Sequence, residues 1–353
     1  MDTQLLSSAA WNWNEALPDS CVFTPDERPP ASSAAVALPV IDLARPRDEV
    51  RRAILQAGKE LGFFQARFIL PLALQTSPPQ QLTVVMPRAR TCEEFFRLPA
   101  EDKAAFYSSD EENPNRLFTG GNYNTRGKRY WRDCLRLTCP LPLDDVARSE
   151  WPNKPIRLRA AVEGFVLPAR ALGMELLRLL CEGLGLRPDY FEGDLSGGHV
   201  FVNINHYPPC PEPERALGLA PHCDRNLITL LRQGSGGIPG LEVLLCRGGG
   251  CEWVPVPFVP GAFVVNLGHP VEIATNGVVK SVEHRAVPDK AAARTSVGVF
   301  VAPTQDCLLA PAEELVDGDD NPPRYRAVTY REFMRVYKAA GMRRDDVDEA
   351  FKI

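Results

Sequence analysis

The stretch "APHCDRNLITLL", Ala220 to Leu231, places His222 and Asp224 at the mouth of an apolar run. On a β-strand, residues i and i+2 project to the same face. An imidazole and a carboxylate are therefore expected side by side, with Cys223 between them facing away. Such a pair can chelate a divalent metal, but two ligands make a weak site and many HxD pairs serve structure alone. The chain has five histidines, His199, His206, His222, His269 and His284. A site built on imidazole must lie in the C-terminal half.

A third donor in strand context is His284 of "KSVEHRAV". Two histidines and one carboxylate on one side of an ion make the facial triad of non-haem Fe(II) chemistry, with coordination positions left open. Ten residues on, "RTSVGVF" sets Arg294 and Ser296 at i and i+2, on what is expected to be an adjacent strand. A guanidinium is permanently charged and forks onto carboxylates, so an arginine buried beside a metal implies an anionic ligand. Ser296 could add a hydroxyl, and Tyr207 of "NHYPPC" a phenol. Taken singly, Arg294 reads equally as a surface strand arginine and Tyr207 as a side chain packed before a proline turn.

These residues need a scaffold. The 353 residues are 44% hydrophobic and 24% charged, with net charge −5 and pI about 5.7. That composition suits a globular protein with a substantial core. It argues against a nucleic-acid binder, which shows a concentrated basic face. No apolar run reaches membrane-spanning length, and the N-terminus lacks the basic and apolar regions of a signal peptide. A cytoplasmic protein without a membrane partner is expected. Ten cysteines without a CxxC pair are expected as thiols, mostly buried.

Residues 1–37 read as an irregular arm. "LPVIDL" at 38–43 is a short strand, and "RDEVRRAILQAGKELGFF" is an amphipathic helix ending near Gly62, then a strand. "ARTCEEFFRLPAEDKAAF" is helical with an interruption at Pro99. Residues 150–186 are mainly helical, with Pro168 expected to kink or break them. From residue 199 short β-type runs alternate with Gly, Pro and Asn clusters, the texture of an antiparallel sandwich or barrel. "TYREFMRVYKAAGMRRDDVDEAFKI" returns to helix.

The order of "NHYPPCPEPE", "HCDRNLITLL", "GLEVL", "WVPV", "GAFVVNLG", "NGVVKSVEHRAV" and "RTSVGVFVAP" resembles the plant-type 2-oxoglutarate- and Fe(II)-dependent dioxygenases. "YWRDCLRLTCPLP" and "LLCEGLGL" look closest to the branch of hyoscyamine 6-dioxygenase and 2′-deoxymugineic-acid 2′-dioxygenase. The resemblance covers about 38–65 and 89–338. It implies a mainly β fold with flanking helices, a double-stranded β-helix or jelly roll with N-terminal helical support and a C-terminal helix. It implies an arm over 1–37, a mixed α/β support region over 38–190 and the jelly-roll domain over 191–353. It implies Fe(II) on His222, Asp224 and His284, and 2-oxoglutarate on Arg294 and Ser296, assisted by Tyr207. Substrate oxidation would be coupled to decarboxylation of 2-oxoglutarate by O2, giving succinate and CO2, with ascorbate supporting activity. Phe300 and Tyr123 are candidate substrate contacts, Phe300 having core packing as its alternative. A small-molecule substrate and a monomer are expected, acted on by hydroxylation, desaturation or epoxidation.

Two stretches depart from the family pattern. After "LGFFQ" the family continues with a strand reading like VxNHG, whereas residues 66–88 read "ARFILPLALQTSPPQQLTVVMPR". "NLGHPVEIATNG" places His269 where an acidic or aromatic residue is usual, and a surface-turn histidine is expected there. The first departure motivates an alternative, a catalytically silent paralogue or binding protein. A 2-oxoglutarate-independent oxidase of the aminocyclopropane-carboxylate type is a further alternative, and a cupin-like isomerase a weaker one that the Arg294–Ser296 pair disfavours.

Overall fold

The computed structural model describes residues 5–7, 16–32, 38–67, 89–120, 127–234, 236–247, 249–340 and 344–353. Tyr123 and all of the atypical stretch except its first two residues lie outside them.

The N-terminal half supplies β1 (Val40–Asp42), α1 (Arg47–Glu60), β2 (Phe63–Arg67), α2 (Ala89–Phe96), α3 (Ala100–Ala104), β3 (Arg116–Thr119), β4 (Asp133–Cys139), α4 (Asp145–Ser149) and α5 (Leu158–Leu184). Pro99 caps α3, as the sequence suggests. Pro168 does not break α5, which runs through it to Gly185 in the left-handed conformation (φ 79°). An interior proline costs about 3 kcal/mol. Each fully buried large apolar side chain returns about 1.5–3 kcal/mol. Leu158, Val162, Phe165, Leu172, Leu176 and Leu180 all bury one face of α5, so continuity wins.

The strand-rich half follows with β5 (Val200–Tyr207), β6 (Leu219–His222), β7 (Ile228–Gln233), β8 (Leu241–Arg247), β9 (Gly250–Pro255), β10 (Phe263–Leu267), α6 (His269–Ala274), β11 (His284–Ala286) and β12 (Arg294–Val301). The short strands β13 (Leu308–Leu309) and β14 (Val328–Thr329) pair with each other before α7 (Tyr330–Ala339) and α8 (Arg344–Phe351). Thr329 caps α7 by accepting from the Glu332 amide, satisfying a donor that a helix N-terminus leaves open.

Two sheets form the jelly roll. The larger runs β1-β2-β10-β7-β12-β5-β4-β3 and the smaller β6-β11-β8-β9. Period-two alternation sorts the side chains of the larger sheet. Val297, Val299 and Val301 of β12, with Val200, Val202 and Ile204 of β5, join the core under α5. Arg294, Ser296, Gly298 and Phe300, with Phe201, Asn203, Asn205 and Tyr207, take the opposite face, toward the barrel interior. The arm is pinned across the barrel, where the amides of Leu6 and Ser7 donate to the buried Asp133 carboxylate at 3.1 and 2.6 Å. Among the described residues no helix is long and apolar enough to cross a membrane.

The cysteine expectation needs one correction. Cys246 and Cys251 form a disulfide across the β8–β9 hairpin, where they are register partners. The other eight cysteines are buried thiols.

Candidate metal and co-substrate site

The stretch that reads as one strand is two. β6 ends at His222 in the smaller sheet and β7 begins at Ile228 in the larger one. Asp224 therefore lies in the crossing between sheets, where the chain has left the ladder. The two side chains still converge, with His222 Nε2 3.7 Å from Asp224 Oδ1. His284 opens β11 as the register partner of His222, and its Nε2 is also 3.7 Å from Asp224 Oδ1. One ligand atom from each lies within 4.8 Å of the others, and all three residues are buried. Cys223 turns away as expected, its thiol 3.3 Å from the Ser281 carbonyl.

The surroundings prepare these groups as ligands. His222 Nδ1 is 2.8 Å from the Ala220 carbonyl and His284 Nδ1 is 3.3 Å from the Val282 carbonyl. Each carbonyl holds the proton on Nδ1, which turns the Nε2 lone pairs toward the cluster, that of His284 also lying 3.3 Å from Asn266 Nδ2. Burial, with the neighbouring His284 next in weight, lowers the His222 pKa and so favours the neutral imidazole. Burial raises the Asp224 pKa, but the two histidines, Thr229 and Asn266 outweigh it and keep the carboxylate ionised. Thr229 Oγ1 donates to Asp224 Oδ2 at 2.6 Å and Asn266 Nδ2 lies 3.2 Å from the same oxygen. Oδ1 is the atom left facing the histidines. Two imidazoles and an oriented carboxylate suit a divalent first-row ion.

Arg294 and Ser296 open β12 on its inward face, but β12 is not adjacent to β11. It pairs with β5 and β7 in the larger sheet, while β11 belongs to the smaller one, so the two halves of the site come from opposite walls. The Arg294 guanidinium is buried, not exposed to solvent. It lies 5.3 Å over the Tyr207 ring, its register partner, and Nη2 is 3.5 Å from Gln233 Oε1. Among the described residues its Nε has no hydrogen-bond partner, and burial lowers its pKa. A buried cation of this kind is costly until an anion meets it, which fits a dicarboxylate co-substrate.

Two glycines make room for that pair. A Cβ on Gly218 would stand 2.5 Å from Tyr207 Cδ1, and one on Gly240 (φ 152°) would stand 3.0 Å from Arg294 Cδ. Phe300, half-buried, stacks on Phe201 at 4.9 Å. The Arg136 guanidinium lies 4.4 Å from the Phe201 ring centre and that of Arg225 lies 5.7 Å from it. His269 is not a surface residue. It is 2% exposed, begins α6, donates its backbone N–H to the Asp224 carbonyl at 2.8 Å and faces Asp348 Oδ1 at 3.4 Å. Pro270 falls in the first turn of α6, where a missing donor costs nothing.

Comparison with known proteins gives this geometry its context. Residues 198–303 match the 2OG-Fe(II) oxygenase superfamily, and residues 38–155 match the N-terminal region described as that of a non-haem dioxygenase in morphine synthesis. The chain is 53% identical to 2′-deoxymugineic-acid 2′-dioxygenase of Hordeum vulgare, over 91% of this chain and 90% of that one. It belongs to the 2OG-Fe(II) oxygenase superfamily. It is also 47% identical to mugineic-acid 3-dioxygenase of Hordeum vulgare over 93% of this chain and 91% of that one. Its fold is similar to that of JOX2, solved in complex with 2OG, Fe and JA, with TM-score 0.80 and 27% identity over 98% of this chain and 96% of that one. The protein is an Fe(II)- and 2-oxoglutarate-dependent dioxygenase, and nothing in the comparisons favours the silent-paralogue or 2-oxoglutarate-independent alternatives.

Thr229, Asn266, Gln233, Gly218 and Gly240 were not singled out from sequence. The available signal was parity: Thr229 and Asn266 are polar residues flanked by apolar ones in their strands, on the face opposite the α5 core.

Proposed function

We propose that this dioxygenase oxidises a carboxylate-bearing small molecule of the class named in its two barley relatives, the mugineic acids. In this reading His222, Asp224 and His284 hold Fe(II), and Arg294, Ser296 and Tyr207 hold the distal carboxylate of 2-oxoglutarate. A monomer is the proposed state.

The observation that carries the site assignment is the pairing of two features in one barrel. Two imidazoles and a carboxylate converge on one wall, and on the other stands a buried guanidinium whose Nε has no partner among the described residues. Iron in such a site supplies the redox chemistry with O2 that couples 2-oxoglutarate decarboxylation to substrate oxidation. The chain's own contribution is orientation and exclusion of water. The Ala220 and Val282 carbonyls fix the imidazole tautomers, and Thr229 and Asn266 fix the carboxylate. Arg294, braced against Tyr207, fixes one end of the keto acid.

The substrate class is supported by the inward wall of β4 and its approach. Arg132 donates to the Gly120 carbonyl at 3.1 Å and to Asn205 Oδ1 at 3.2 Å, and its charge reaches His222. Arg136 and Arg225 flank Phe201, itself stacked on Phe300. A guanidinium-rich wall favours carboxylates over neutral or cationic substrates.

The test is turnover of the purified protein with Fe(II), ascorbate and 2-oxoglutarate on a panel of amino polycarboxylates, flavonoids and alkaloids. Oxidation of the polycarboxylates with equimolar succinate is expected. Exclusive oxidation of a neutral or basic compound would overturn the substrate assignment, and product without succinate would overturn the co-substrate assignment.

A further inference from the structure

The back of the candidate metal loop is held by the C-terminal helices, through contacts that none of the proposed ligands makes. Cys223 is the residue between His222 and Asp224. Its carbonyl accepts a hydrogen bond from Tyr337 Oη of α7 at 2.7 Å. Its sulfur lies 3.2 Å from Arg344 Nη1 of α8. The same Nη1 donates to the carbonyl of Ser281, which also faces the Cys223 thiol. Ser281 opens the short segment that ends at His284.

One guanidinium therefore bridges the segment carrying two of the candidate ligands and the segment leading to the third. It is itself held from behind. Arg344 Nη2 meets Glu272 Oε1 at 2.7 Å and Nε meets Asp348 Oδ2 at 3.3 Å. Glu272 Oε2 accepts from the Ser281 amide at 2.7 Å, and its Oε1 accepts from Tyr325 Oη at 2.9 Å. Ser281 is thus gripped at both its N–H and its C=O. On the other side, the His269 amide donates to the Asp224 carbonyl.

We infer that Arg344, seconded by Tyr337, is a positioning residue for the metal centre. It sets the separation between the 222–224 and 281–284 segments, and so the distance over which three ligand atoms must meet one ion. The inference rests on the ligand assignment proposed above. A planar guanidinium can donate to Cys223, Ser281, Glu272 and Asp348 in fixed directions at once, whereas a lysine ammonium at the same place is a single point of charge. Groups that orient ligands from behind are typically worth about 10–100-fold in metal affinity.

The test uses full-length, metal-free protein titrated with Co(II), following its visible absorption, at a temperature well below unfolding. Asp224→Ala, Arg344→Ala, Arg344→Lys and Tyr337→Phe are compared with wild type, with circular dichroism reporting the fold. Arg344→Ala is expected to weaken Co(II) binding by about 10–100-fold, Arg344→Lys to recover only part of it, and Tyr337→Phe to weaken it several-fold. Co(II) affinity within twofold of wild type in folded Arg344→Ala would overturn the inference. If that variant does not fold, unchanged affinity in both Arg344→Lys and Tyr337→Phe would do the same. A role in stability alone would lower the melting temperature and leave the Co(II) affinity unmoved. Asp224→Ala separates the two layers of the argument. If it retains Co(II) binding, the ligand assignment itself fails; if it loses binding while the Arg344 and Tyr337 variants keep theirs, only the positioning role fails.

Discussion

Thr229 donates its hydroxyl to Asp224 Oδ2 at 2.6 Å, from the second residue of a strand that begins four residues after the carboxylate. The bond ties the crossing between the two sheets to the larger sheet and commits one carboxylate oxygen. The other, Oδ1, is the atom that both histidines approach at 3.7 Å. Thr229→Val keeps the shape and removes the donor. Fe(II) or Co(II) affinity is expected to fall about 10–100-fold, and Thr229→Ser to retain most of it. Calorimetric titration of the metal-free protein measures both, and unchanged affinity in the valine variant would remove Thr229 from the site.

Removing a candidate ligand should act differently. His222→Ala or Asp224→Ala is expected to abolish turnover while leaving the barrel folded, because the surrounding strands are held by their own ladders. Succinate release and circular dichroism on the same preparations decide this. Retained activity in either variant would defeat the assignment.

Arg294 lies on the opposite wall, and its loss should be felt by the co-substrate. If Arg294 holds 2-oxoglutarate as proposed, Arg294→Ala leaves its distal carboxylate buried without a charge partner, a cost on the order of 3–5 kcal/mol. The 2-oxoglutarate concentration needed for half-maximal turnover should rise by roughly a hundredfold or more, with the Fe(II) requirement little changed. Arg294→Lys should restore only part, since an ammonium cannot fork onto a carboxylate. An unmoved 2-oxoglutarate dependence would count against the role.

The pair formed by Arg294 and Tyr207 also depends on missing side chains. A methyl group at Gly218 would collide with the Tyr207 ring, and one at Gly240 with Arg294 Cδ and, at 2.7 Å, with the Val287 carbonyl. Gly218→Ala displaces a ring that can turn, at about 1–3 kcal/mol. Gly240→Ala meets a backbone oxygen as well as a positive φ, so it should be the more destabilising. The expected pattern is a raised 2-oxoglutarate KM with a small loss of Tm for the first, and a larger loss of Tm for the second. Thermal melts beside steady-state kinetics would show it.

The sequence made the inward-facing chemistry legible because strand parity is rigid. Arg294, Ser296 and Phe300 share a face by their spacing alone, and β12 carries them as one row. It misjudged what depends on where a strand stops. "HCDRNLITLL" has one apolar texture, yet Asp224 leaves the ladder, because the chain must cross from one sheet to the other and periodicity does not mark that crossing. His269 was misplaced for a related reason. Its Gly-His-Pro setting reads as a turn, but the turn opens a short buried helix whose partner, Asp348, lies far along the chain on α8. Pairings of such long separation leave no local pattern. Pro168 stays inside a continuous helix because burial that only the assembled core supplies outweighs the local breaker.

Asp348 gives the C-terminal anchor a pH dependence whose sign can be worked out. Burial tends to raise its pKa, but His269, Lys352 and Arg344 outweigh that and hold it down at about 2, below the ordinary 3.8. A folded-state pKa below the unfolded one adds stability that is fully present above about pH 4 and is lost as pH falls toward 2. A difference near two units corresponds to roughly 2–3 kcal/mol at most. Solvent screening reduces that figure, which is therefore an upper bound. Asp348→Asn should therefore be less stable than wild type at pH 7 by up to that amount, and the gap should close between pH 4 and pH 2 as the wild-type carboxyl takes up its proton. Urea unfolding of the two proteins across that range measures the gap directly. A gap that stays constant with pH would show that Asp348 contributes through packing or neutral hydrogen bonds and not through its charge.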